Sequence, residues 1–81
     1  MKRAKSAKSK LPVLSGKKVV KVLLKAGFYI HHKKGSHVIL KRDSPPARVV
    51  VPDHKELKRG ILRAIIRQAQ LSVEEFLELV E

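Results

Sequence analysis

The segment best suited to chemistry is residues 33–40, KKGSHVIL, in which His37 follows a glycine and a serine. Histidine side chains have an ordinary pKa of about 6.5, so His37 is the type of residue that transfers protons near neutral pH. Lys33 and Lys34 supply positive charge for a phosphate, and Gly35 lets the backbone approach one closely. This combination fits chemistry at a phosphate ester.

Cleavage of RNA needs little apparatus, because the substrate carries its own nucleophile. The 2′-hydroxyl lies beside the scissile phosphate, so a protein must remove its proton, protonate the leaving 5′-oxygen and stabilise the phosphorane charge. His37 can transfer protons, Ser36 can donate a hydrogen bond, and the lysines can stabilise the charge. The same residues also fit a plain hairpin, since turn glycines and strand-starting histidines are common without catalysis.

The other titratable residues are weaker candidates. His54 follows the third predicted strand, and we expect it either to hydrogen-bond the backbone or to contact RNA. His31 and His32 point to opposite faces of a predicted strand, so they cannot bind one metal ion together. A His31–His37 zinc site would lack a clear third ligand. No metal or cofactor is therefore predicted.

The composition favours a polyanionic partner. The 81 residues include 19 Lys+Arg against 7 Asp+Glu, a formal net charge of +12. Such a charge attracts phosphate polymers and makes their binding salt-dependent. A chain this short buries only about 60% of its unfolded surface, which leaves no room for a deep substrate pocket. A polymer that brings its own contact area is the expected ligand.

Targeting and membrane signals are not evident in the sequence. It has no cysteine, no apolar run of about 18 residues and no apolar segment typical of a signal peptide. The basic residues do not segregate onto one long amphipathic helix, which disfavours a membrane surface as the partner. We therefore expect a cytoplasmic protein. Residues 1–10 are predicted to be a disordered basic tail, followed by a single domain at 11–81.

Hydrophobic periodicity predicts helices at both ends of this domain. The first covers about residues 16–26, with Ser15 as its N-cap. The second follows residues 53–57, and the third is short, beginning at the capping box of residues 72–75 and ending near Val80. The apolar stripe of the second helix contains Leu62, Ile65, Ile66 and Ala69.

Three strand-like runs lie between the first two helices, at residues 28–33, 37–42 and 48–51. The short, turn-rich gaps between them predict antiparallel hairpins and hence a three-stranded antiparallel sheet. Both long helices must bury their apolar stripes on one face of this sheet. The predicted fold is therefore α+β, in the order α-β-β-β-α with a short C-terminal helix.

Strand alternation predicts which side chains leave the sheet on the face without helices. The inward residues would be Phe28, Ile30, Val38 and Leu40. The outward residues would be Tyr29, His31, Lys33, His37, Ile39 and Lys41. The face assignments of the two strands are compatible only if the first hairpin loop has an odd number of residues. A loop at 34–36 places Lys33 opposite His37. His37 would then lie on the open face beside a lysine.

The ordered motifs of the chain resemble those of HicA-type toxins, also called YcfA-like proteins, over about residues 11–79. The matching segments are LPVLSGK at 11–17, KAGF at 25–28, KGSH at 34–37, VVVPDH at 49–54, LKRG at 57–60, LRAIIRQA at 62–69 and SVEEF at 72–76. No segment is specific alone, but the ordered set is. The chain departs from many relatives in having Ile61 where they have threonine and Gln70 where they have glycine.

The resemblance implies a fold like the double-stranded RNA-binding domain and an mRNA interferase activity without a metal cofactor. The motif histidine, here His37, would be catalytic. The expected phosphate contacts are Lys33, Lys34, Gly35, Ser36, Lys41 and His54. The resemblance also implies a HicB-type antitoxin that covers this site, and a pair that represses its own operon. We expect the free chain to be a monomer and the complex a hetero-oligomer.

Two alternatives without catalysis fit the same residues. The chain could be an RNA-binding module of the same fold, whose affinity comes mainly from phosphate contacts. It could also be a basic protein associated with the ribosome. RNA that stays intact in the presence of the purified protein would favour either alternative.

Overall fold

Six elements follow one another in the computed structural model, which describes residues 11–80. They are α1 (Gly16–Lys25), β1 (Tyr29–Lys34), β2 (His37–Arg42), β3 (Ala47–Pro52), α2 (Arg59–Gln68) and α3 (Val73–Val80). The predicted order of elements, with a short C-terminal helix, is confirmed. The predicted basic tail, residues 1–10, lies outside the described residues.

The three strands form one antiparallel sheet in the order β1-β2-β3. α1 contacts every strand, α2 contacts β3, and α3 packs against both other helices. The strand side chains that face the helices join the helical stripes in one hydrophobic core. Its largest members are Val19, Val22, Leu23, Leu40, Val49, Val51, Leu57, Leu62, Ile65 and Phe76. The predicted apolar stripe of α2 is buried throughout.

The opposite face of the sheet, called the open face below, carries the alternate residues of each strand. Its side chains are exposed or half-buried. They form three cross-strand rows, which are Lys34–His37–Pro52, His32–Ile39–Val50 and Tyr29–Lys41–Arg48. The prediction that His37, Ile39 and Lys41 lie on this face is confirmed.

The first hairpin has a different register from the predicted one. A two-residue turn joins the strands, so His37 lies opposite Lys34 and the predicted three-residue loop is wrong. Lys33 lies opposite Val38, whose side chain is buried in the core. Lys33 therefore belongs to the face on which the helices pack, contrary to the prediction that it would be on the open face beside the histidine.

A bulge in β1 explains this shift. Ile30 pairs with Leu40 while His32 pairs with Ile39, so His31 is an extra residue in β1. One extra residue reverses the alternation of a strand, so His32 takes the open-face position that was predicted for His31. Ile30 also remains 46% exposed although its partner Leu40 is buried, and β1 lies at the edge of the sheet away from α2, which packs against β3.

The helix ends follow from local hydrogen bonds. The Lys18 N–H donates to Ser15 Oγ at 3.0 Å, which confirms the predicted N-cap of α1. The Ser72 N–H donates to Glu75 Oε1 at 2.8 Å and the Glu75 N–H donates to Ser72 Oγ at 3.0 Å, which confirms the capping box of α3. Within residues 11–80, no helix is long and apolar enough to cross a membrane.

Candidate active site at the hairpin end of the sheet

His37 begins β2 at the end of the sheet where the β1–β2 turn lies, called the hairpin end below. Its side chain is exposed on the open face, between Lys34 of β1 and Pro52 of β3. Side chains directly opposite each other in antiparallel strands have Cβ atoms about 4.5–5.5 Å apart. A cation therefore lies beside the histidine on a surface that a large ligand can reach.

The β1–β2 turn consists of Gly35 and Ser36. Gly35 has a φ of +58°, and two-residue hairpin turns require a positive φ at this first central position. A Cβ on Gly35 would have no atom within 4 Å, so backbone conformation rather than crowding selects glycine. The Asp53 N–H donates to the Ser36 carbonyl at 2.6 Å, which ties the turn to the segment that follows β3.

The segment after β3 is held against the start of α1. The Gly16 N–H donates to the His54 carbonyl at 2.8 Å. A Cβ on Gly16 would overlap the Pro52 carbonyl oxygen, so the close approach requires glycine. The Leu57 N–H donates to the Leu14 carbonyl at 2.8 Å and secures the other end of the segment. The turn, the end of β3 and the start of α1 therefore form one connected unit.

A cleft of about 250 Å³ opens where the start of α1 meets the segment after β3. It is lined by Ser15, Lys17, Asp53, His54 and Lys55. His54 and His37 consequently lie at the same end of the molecule, one in the cleft and one on the open face. Sequence reasoning missed Lys17 and Lys55 as site residues, because no motif shows that the start of α1 meets the segment after β3. The sequence did contain one signal of this contact, which is the glycine Gly16 directly after the N-cap residue Ser15.

The predicted phosphate-binding lysines do not lie together. Lys34 is the direct neighbour of His37 on the open face, whereas Lys33 belongs to the opposite face. Lys41 is on the open face but four residues along β2, which places it about 13 Å from His37. Its partner on β3 is Arg48, a cation that sequence reasoning did not assign to the site.

Tyr29 lies on the open face opposite Lys41 and is tied to the turn after β2. Its hydroxyl donates to Asp43 Oδ1 at 3.2 Å. Partial desolvation raises the pKa of the Tyr29 hydroxyl, and the negative charge and hydrogen bond of Asp43 raise it further. The hydroxyl is thus a stable donor, and the ring is held in place above the sheet.

The described residues offer no evident metal centre. Among residues 11–80, histidines and carboxylates form no group of three that could hold a metal ion. His31 lies in the bulge of β1, while His37 begins β2 at the hairpin end.

The fold and this site define a small basic α+β domain with His37, His54 and the cations Lys17, Lys34 and Lys55 at one end of an open sheet. A family model described as the HicA toxin of bacterial toxin–antitoxin systems matches residues 16–71, more than half of the chain. The chain belongs to this toxin family. The matched region contains the three strands, α1, α2 and both histidines of the hairpin end. No curated protein matches the chain.

Proposed function

We propose that this chain is an endoribonuclease that cleaves mRNA, with His37 as the proton-transfer group. The observation that carries the proposal is the placement of His37 on the open face, exposed and directly opposite Lys34. A histidine in this position can reach a backbone phosphate without a deep pocket. Membership of the HicA toxin family supports the same activity.

The proposed reaction is an internal transesterification. The 2′-oxygen attacks the adjacent phosphorus while its proton is removed, and the bond from phosphorus to the 5′-oxygen breaks. The 5′-oxygen takes up a proton, so the products are a 2′,3′-cyclic phosphate and a free 5′-hydroxyl. His37 transfers one or both of these protons, since an imidazole can act as base and its conjugate acid as acid. No metal ion takes part in this scheme, so a chelator should leave the rate unchanged.

The neighbouring residues would bind and stabilise the phosphate. Lys34 lies on the same face as His37 and places its charge where negative charge develops on the phosphorane. The Ser36 hydroxyl can donate to a phosphate oxygen while its carbonyl is engaged by Asp53. Gly35 holds the turn in its required conformation. Lys33 would contact RNA only around the edge of β1, because it belongs to the other face.

The cleft beside the hairpin end would hold a neighbouring phosphate of the same strand. Lys17, His54 and Lys55 line it and provide cationic or hydrogen-bonding groups for phosphate oxygens. Asp53 lies among them, and its backbone N–H is committed to the Ser36 carbonyl. Because His54 lines this cleft, its proposed role is to bind a phosphate, whereas the proposed role of His37 is catalytic.

Replacement of His37 by alanine tests the catalytic role. His37→Ala should lower the rate of RNA cleavage by about 10²–10⁴-fold, the range typical for loss of a general acid or base. Because Lys34 and the cleft remain, affinity for RNA should change little. The measurements are cleavage of a labelled RNA by purified protein and binding of the same RNA carrying 2′-O-methyl groups.

His31→Ala is the matched control, because His31 is an exposed histidine in the β1 bulge. It should cleave RNA at the wild-type rate. Cleavage by His37→Ala at the rate of the control would exclude His37 as the catalytic residue. RNA that stays intact with the wild-type protein would assign the chain to the non-catalytic RNA-binding alternative.

The family also supports an antitoxin partner. We propose a HicB-like antitoxin that covers the hairpin end and the open face, so that mRNA and antitoxin compete for one surface. The surface is basic at Lys34, Lys41 and Arg48 and apolar at its centre. An acidic surface with an apolar middle would be complementary to it.

A further inference from the structure

We propose that the Tyr29–Lys41–Arg48 row of the open face is a second RNA-contact site, which binds an unpaired nucleotide away from the scissile phosphate. The inference rests on the proposed function, because it takes RNA to be the ligand of the His37 site. Its evidence is the position and the chemistry of the three side chains and the exposure of Tyr29 and Arg48.

The position of the row sets the course of the bound strand. Tyr29 pairs with Lys41, and Lys41 pairs with Arg48, four residues along β2 from His37. This is a separation of about 13 Å. Stacked nucleotides advance about 3.4 Å along a strand, so about four of them, or fewer in an extended strand, span the two rows. RNA held at His37 reaches the distant row by running along β2.

Tyr29 supplies a stacking surface that is already oriented. Its side chain is 44% exposed, and its hydroxyl is held by Asp43 at 3.2 Å. A ring fixed before binding loses less conformational freedom when a base stacks on it. Base–aromatic stacking tolerates any sequence, because every base has a π face. A site of this kind would therefore contact RNA without selecting a particular base.

The two cations of the row supply the other half of a nucleotide site. Lys41 is the cross-strand neighbour of Tyr29, and Arg48 is the next side chain in the row. Proteins that bind single strands combine aromatic stacking with positive charge along the backbone. The planar guanidinium of Arg48 can also bind a phosphate in a bidentate manner. The row thus matches one nucleotide, with its base on the ring and its phosphate on the cations.

The surface between the two rows is compatible with a crossing strand. The middle row contains His32 and the half-buried apolar residues Ile39 and Val50. None of the nine residues in the three rows is acidic. The nearby carboxylate of Asp43 is engaged by the Tyr29 hydroxyl. Among the residues that the structure describes, the three rows themselves place no carboxylate in the path of a strand along β2.

A structural role for Tyr29 differs from this binding role in a measurable way. A tyrosine that only secures the turn after β2 needs its hydroxyl, whereas a stacking platform needs its ring. Tyr29→Phe removes the hydroxyl and keeps the ring, and Tyr29→Ala removes both. The two substitutions therefore separate the hydrogen bond with Asp43 from contact with a base.

The test measures binding of the full chain to a single-stranded RNA long enough to span both rows. The RNA carries 2′-O-methyl groups so that it cannot be cleaved, and binding is followed by fluorescence anisotropy. Tyr29→Ala should weaken affinity about tenfold, Arg48→Ala should weaken it too, and Tyr29→Phe should stay within about twofold of wild type. Arg63→Ala, an exposed arginine of α2 on the other side of the sheet, should bind like wild type.

A duplex RNA of the same length completes the test, because its bases are paired and cannot stack on Tyr29. Loss of affinity in Tyr29→Ala for the single strand and not for the duplex supports the row as an unpaired-nucleotide site. Wild-type affinity in Tyr29→Ala, or an equal loss for both RNAs, would overturn it. So would variants that bind RNA normally and lose only antitoxin, since the row would then be a protein contact.

The readout is independent of catalysis. If the wild-type protein cleaves no RNA, the proposed activity fails, yet the difference between Tyr29→Ala and Tyr29→Phe still decides the role of the row. If the protein cleaves RNA and Tyr29→Ala binds like wild type, the second site fails and the activity stands.

Discussion

Among single residues, Gly16 has a strict geometric role at the hairpin end. A Cβ at this position would overlap the Pro52 carbonyl oxygen, and the Gly16 N–H donates to the His54 carbonyl at 2.8 Å. Gly16→Ala must therefore push the start of α1 away from the end of β3. Overpacking of this kind costs about 1–3 kcal/mol. We expect a melting temperature lower by several degrees in thermal denaturation, with weaker RNA binding at the cleft.

Gly60→Ala is the control for this prediction. Gly60 lies in α2, and a Cβ there would have no atom within 4 Å. Replacing a helical glycine by alanine under these conditions should stabilise the protein by about 0.5–1 kcal/mol. The two substitutions should thus shift the melting temperature in opposite directions. A similar stabilisation by both would mean that Gly16 does not contact the end of β3.

The sequence was sufficient to single out His37 but not to choose its neighbour. The residue type, the turn glycine and the following apolar alternation all come from local sequence. Which lysine lies beside His37 depends on the register of two strands, and Lys34 rather than Lys33 proved to be the partner. Lys17 and Lys55 join the cleft through contacts between distant segments, which no local pattern encodes.

At the scale of elements, the strength of the hydrophobic pattern decided which predictions succeeded. β2 covers the predicted residues, and β3 is one residue longer at each end than predicted. Both strands carry buried apolar residues at alternate positions, which strongly specify register. β1 reads YIHHKK, with no buried residue, so its polar majority gave no signal for the bulge at His31. β1 was therefore the strand with the wrong predicted register.

The end of α2 shows how a departure from the family pattern is accommodated. The Leu71 N–H donates to the Ile66 carbonyl at 3.2 Å and the Gln70 N–H to the Arg67 carbonyl at 2.9 Å, which is a Schellman motif. Gln70 has a φ of +62°, in the left-handed region that favours glycine. A glutamine at this position therefore carries a conformational cost that its side chain must offset.

Substitutions of Gln70 should separate the conformational cost of its positive φ from the stabilisation by its side-chain hydrogen bonds. Arg42 Nη2 donates to Gln70 Oε1 at 3.1 Å, and Gln70 Nε2 donates to the Pro46 carbonyl at 3.4 Å. Gln70→Ala and Gln70→Gly both lose these bonds, but only glycine removes the left-handed strain. We expect the glycine variant to be more stable than the alanine variant by about 1 kcal/mol in urea denaturation. Equal stability would argue against a left-handed Gln70.

At the scale of the whole molecule, the net charge of +12 indicates a polyanionic ligand without showing where it binds. Exposed cations lie on α1 and α2 as well as on the open face. Arg42 is different, because it is half-buried at the end of β2 on the face that the helices cover. Its guanidinium lies 4.7 Å from the centre of the Phe28 ring and donates to the Pro45 carbonyl, so its role is structural. The open face is the proposed RNA surface, because it combines His37 and Tyr29 with cations in register.

The salt dependence of RNA binding measures which cations contact phosphates. For single strands, log K falls with log salt by about 0.7 per phosphate contact. Lys34→Ala should therefore reduce the slope by about 0.7, because Lys34 lies beside His37 on the open face. Arg67→Ala removes the same charge from α2 and should leave the slope unchanged. Equal changes in both variants would mean that the strand also follows the helical side, and that net charge rather than the open face determines where RNA binds.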